Sequence, residues 1–275
     1  MQVPSKYNKL LTAGAVAVMA LGISSQAAAF PVFTVDPNGA FGNTGGNHPG
    51  AFQADFITGN SSTLVTLNAN QTTAAGSGWV NFSAFVDNGS NVLANVSGLN
   101  SDWQMWAQFT YTLSLTSGTY GTTNSIYNVT SLHADFWVDP SIASATTFTS
   151  ATNAGGAASV THGADSFIVA TADLFQGVAN INALGGTGFN STNDFHLLNP
   201  AGTNLFTSPD PFYNVQFNEF NNTQQGAFIN LAGGYITINQ TTGGVDFNRV
   251  PEPATLALLG IGLLGIGASK RRKAA

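Results

Sequence analysis

Apolar and polar residues alternate through the middle of the chain. From Trp103, the residues Met105, Ala107, Phe109, Tyr111, Leu113 and Leu115 share one parity, and Gln104, Gln108, Thr110, Thr112 and Ser114 share the other. Trp106 is the one bulky apolar residue on the polar side. Period two sustained over 103–115 is the signature of a strand with one buried face. Shorter runs of the same kind occur at 51–58, 63–67, 78–86, 126–138, 166–170, 212–220, 227–231 and 235–239. They are separated by turn-forming clusters such as Asp87-Asn88-Gly89, Gly185-Gly186-Thr187-Gly188 and Ser208-Pro209-Asp210-Pro211. The pattern predicts an all-β protein, with one antiparallel β-sandwich or jelly-roll domain over residues 51–248. Within it, 172–184 reads as a short helix. The Gly- and Asn-rich segment 30–50 lacks a period after Asn38 and reads as a surface loop.

The two ends carry a different pattern. Lys6 and Lys9 precede an apolar run at 10–23, and Ala27 and Ala29 stand at the −3 and −1 positions before Phe30. A basic head, an apolar stretch and an Ala-x-Ala site in that order predict a signal peptide at 1–29, a helix handled by the general secretion machinery. At 249–275, Val250-Pro251-Glu252-Pro253 is followed by an apolar stretch at 254–269 and by Lys270-Arg271-Arg272-Lys273. Two prolines keep the first part extended, and the apolar part forms a short transmembrane helix. The basic cluster stops translocation with the body outside. This layout resembles the sorting signal of the PEP-CTERM proteins of Gram-negative bacteria. The resemblance implies that an integral-membrane exosortase reads Pro251-Glu252-Pro253, cuts near it and passes the body to the cell surface or matrix. Membrane contact would then be only through the C-terminal helix and only before processing.

Composition narrows what the body does. Charged residues are 7% of the chain, and residues 10–248 contain no Lys or Arg against eleven Asp and Glu219. Such a surface repels phosphate backbones and excludes nucleic acid as a partner. With no cysteine, thiolate metal sites, a Cys nucleophile and disulfides are all excluded. His133 with Asp135, and Asp194 with His196, each place two metal-ligand types on one strand face, but a third ligand is not evident. His162 and Asp165 read as loop residues, and Glu219 as the rim of a strand. No Gly-x-Ser-x-Gly elbow or paired Glu marks a hydrolase. No catalytic or cofactor-binding residue is expected, beyond weak and non-specific Ca2+ association with the acidic body. Trp106, on its polar strand face, and Trp137, in parity with His133 and Asp135, are candidate sugar-contact aromatics.

Four stretches, Phe85-Val86-Asp87-Asn88-Gly89, 103–109, 133–140 and 205–213, resemble the flocculation-associated PEP-CTERM proteins. That resemblance implies a non-enzymatic exported protein of floc or biofilm matrix that associates with exopolysaccharide and with itself. A secreted carbohydrate-active hydrolase and a lectin-like carbohydrate-binding module are the alternatives.

Overall fold

The computed structural model describes residues 31–144, 146–221 and 227–248. Eight strands form the wall of a closed barrel: β1 (Phe56–Leu67), β2 (Thr73–Asp87), β3 (Gln104–Ser117), β4 (Ser125–Asp139), β5 (Phe167–Ile181), β6 (Thr187–Leu197), β7 (Val215–Asn221) and β8 (Tyr235–Asn248). Each pairs antiparallel with the next in sequence, and β8 pairs with both β7 and β1, which closes the ring. The all-β expectation holds, whereas the two-sheet sandwich or jelly roll does not. An up-and-down meander has the same alternation as a sandwich, and only the non-local β8–β1 register, Tyr235 opposite Thr66 through Val245 opposite Ile57, turns it into a barrel.

Inward positions carry the apolar parity. On β3 these are Met105, Ala107, Tyr111 and Leu113, all buried. On β4 the parity changes partway: Tyr127 and Val129 point inward, then Leu132, Ala134, Phe136 and Val138. A bulge where Thr112 opposes Ser131 and Leu113 opposes Val129 supplies the extra residue. The same device acts on β5 between Leu174 and Gln176, and leaves Phe175 exposed. Segment 172–181 is therefore strand and not the expected helix: a bulge breaks period two and leaves a spacing that imitates a helix.

The two barrel ends differ. At one, the strands are joined by short turns around 68–72, 118–124 and 182–186. In the last of these, Asn182 Oδ1 accepts from Leu184 N and Gly186 N, both at 2.9 Å, so the Gly185 segment is a hairpin turn. At the other end, long connections and the N-terminal segment form a cap. Its three-stranded sheet places Phe33–Val35 between Phe206–Ser208 and Phe52–Ala54. The supposed surface loop enters this cap through the helix Pro37–Phe41, whose N-cap Asp36 accepts from Gly39 N at 2.9 Å. Phe33, Phe206 and Phe212 meet Phe195 and Phe247 of the barrel and plug that end. Among the described residues no helix is long and apolar enough to cross a membrane. The signal helix and the C-terminal helix expected from sequence lie outside the described residues.

Candidate functional site

The connection between β4 and β5 is laid across the outside of the barrel. It starts at Asp139, a fully buried carboxylate that accepts from Ser141 N, Thr146 N and Thr146 Oγ1 at 2.9–3.0 Å. Further along, Thr149 O accepts from Trp79 Nε1 at 2.9 Å, Ala151 N donates to Ser62 Oγ at 2.8 Å, and Tyr235 Oη donates to Asn153 O at 2.9 Å. This strap covers the tryptophans. Trp106 and Trp137 stack in parallel across β3 and β4 with centroids 6.2 Å apart, and Phe148 and His162 of the strap pack on them. Trp106 is fully buried. The two rings are thus a second apolar layer beneath the strap, and not the open sugar platform read from their parity. Their indole N–H groups are buried without a hydrogen-bond partner among the described residues. Partial desolvation of the His162 ring where it rests edge-on against the two indoles lowers its pKa.

On the face formed by β4, β5 and β6 the two candidate His–Asp pairs do come together. His133 Nε2 lies 3.2 Å from Asp135 Oδ1, and His196 Nε2 lies 3.0 Å from Asp194 Oδ2. Between them β5 contributes Asp173, opposite both His133 and Asp194 in register and 2.8 Å from His133 Nδ1. This hydrogen bond is the main cause that raises the His133 pKa, with the Asp135 charge adding to it. Among the described residues no group of three or more such side chains is disposed to hold a metal ion. The arrangement is a half-exposed, pH-responsive polar face.

Further round the wall lies a groove of about 570 Å³. Its polar lining includes Asn128, Gln176, Asn190, Thr192, Asn218 and Asp246, accompanied by Phe56 and Val178. Phe56 lies against the strand because Gly244 offers no side chain: a Cβ there would overlap the ring. The pairing register sets Glu219 opposite Asn190 and Gly244, in the middle of this wall. Amide donors and acceptors, a hydroxyl, a carboxylate and an aromatic are the groups that hydrogen-bond sugar hydroxyls and cover a sugar face. Nothing in the sequence marks these residues, because Asn, Gln and Thr are scattered along every strand.

Residues 249–273 match the PEP-CTERM protein-sorting motif. The chain therefore carries the signal of an exported, cell-surface-directed protein that is processed by exosortase. Pro251-Glu252-Pro253 and the basic cluster at 270–273 fall inside the matched stretch. They lie outside the described residues, as do Val250 and Ala27, Ala29 and Phe30, the expected signal-cleavage residues. No curated protein and no solved structure matches the chain.

Proposed function

We propose that the PEP-CTERM body is a non-enzymatic matrix protein that helps cells aggregate into flocs or biofilm by holding exopolysaccharide in the outer groove. The observation that supports this reading is the groove's lining of amides, hydroxyl and carboxylate beside Phe56. The sorting motif supports a cell-surface destination for this groove. A neutral or amide-bearing sugar suits the site better than a phosphorylated one, since residues 10–248 offer no fixed cation. The resemblance to flocculation-associated proteins points the same way. Exported protein incubated with the polysaccharide of its own matrix should bind it without shortening it, and Asn190→Ala with Asp246→Ala should weaken binding. Steady depolymerisation would instead identify a hydrolase. Saturable competition by one simple sugar would identify a lectin-like module.

A further inference from the structure

The barrel interior is not filled. Eight strands enclose a space that side chains just occupy when inward positions are large. Here many are small: Ser61, Thr63, Ala74, Gly76, Ala107 and Ala179. A cavity of about 90 Å³ remains, walled by rings of Phe109, Tyr111, Phe189 and Phe220. It is blind toward the phenylalanine-rich cap and reaches the short-turn end, where Thr187 opens β6 opposite Ile181. Thr187 lines the cavity and is 93% buried by its 7% exposure, yet its hydroxyl has no partner among the described residues. A buried hydroxyl without a partner costs about 1–3 kcal/mol, which a ligand group at that point would offset. Leu184 and Leu231, 72% and 52% exposed, stand on the turns of this same end. Exposed leucines beside an apolar cavity are a reason to expect apolar entry there.

We propose that the barrel lumen binds the apolar tail of a neutral amphiphile, a straight-chain alcohol or its ester, with the polar head at Thr187. On the scale at which a 150 Å³ cavity takes benzene, the space holds about four carbon atoms. The head is neutral because an ionised carboxylate would enter a barrel whose residues 10–248 include no Lys or Arg.

The probes are 1-butanol and butanoate at pH 8, titrated into isotopically labelled exported protein and followed by NMR. Saturable binding of 1-butanol, butanoate at least ten-fold weaker, and contacts from butanol methylenes to the Phe109 and Phe189 rings are expected. Thr187→Val should weaken butanol several-fold without closing the cavity, and Ala179→Phe should abolish binding by filling it. If Ala179→Phe does not fold, the ring contacts in the unmodified protein decide. Absence of saturation, equal binding of butanoate, or butanol contacts confined to outer-wall residues would overturn the proposal.

Discussion

Tyr111 lies where a side chain of Gly76 would otherwise stand. The two are cross-strand partners, and a Cβ on Gly76 would overlap the tyrosine ring. Gly76→Ala should therefore destabilise by about 1–3 kcal/mol, measured by denaturant unfolding, as overpacking of a built core does. The tyrosine parity was legible in sequence, whereas the glycine beneath it was not, because a cross-strand pair has no local signal. His133 illustrates a different residue-scale effect. Its pKa is raised by Asp173 and Asp135, so its contribution to stability is present below about pH 6.5 and fades as pH rises through the raised value. NMR titration should place the His133 midpoint above 6.5 and that of His162 below it. Asp173→Asn should move His133 back down. The candidate pairs themselves were visible as i, i+2 spacing, but Asp173 enters from a neighbouring strand forty residues away.

At the level of elements, the strap explains why Trp106, on a polar parity, is nevertheless dry and why Trp137 beside it is half-covered. Parity records which side of the sheet a residue occupies, and a covering segment from elsewhere decides whether that side is wet. Asp139 anchors the strap, so Asp139→Ala should cost about 3 kcal/mol or more by stranding three donors. Its expected signature is a red shift and easier acrylamide quenching of tryptophan emission as Trp106 and Trp137 meet water. Unchanged quenching would show that the strap stays in place without its anchor. Strand bulges mark the other limit of local reading. On β4 and β5 one inserted residue reverses the inward set, and on β5 the resulting spacing passed for a helix.

For the whole molecule, closure was the feature least accessible to sequence: the alternation requires a covered face but not whether a second sheet or the curled first sheet covers it. Net charge was accessible at once. Twelve carboxylates between residues 10 and 248 without one Lys or Arg keep copies apart at low ionic strength. Aggregation of cells carrying the protein should rise with millimolar calcium and reverse with chelator, while the melting temperature of the isolated protein stays nearly constant. Indifference to chelator would remove bridging from the picture. Intact mass of the external protein should end near Pro251-Glu252-Pro253 and lack the basic cluster at 270–273.

The direction of β8 sets how this barrel is presented. It runs from Tyr235 at the short-turn end to Asn248 beside the cap, and the sorting motif begins with the next residue. Pro251 is three positions beyond Asn248, a reach of about 10 Å. A cut by exosortase near Pro251 would then fall close to the cap, at the base of an upturned cup. The rim, with Leu184 and Leu231, is the opposite end of the barrel from Asn248 and would stay clear of that cut.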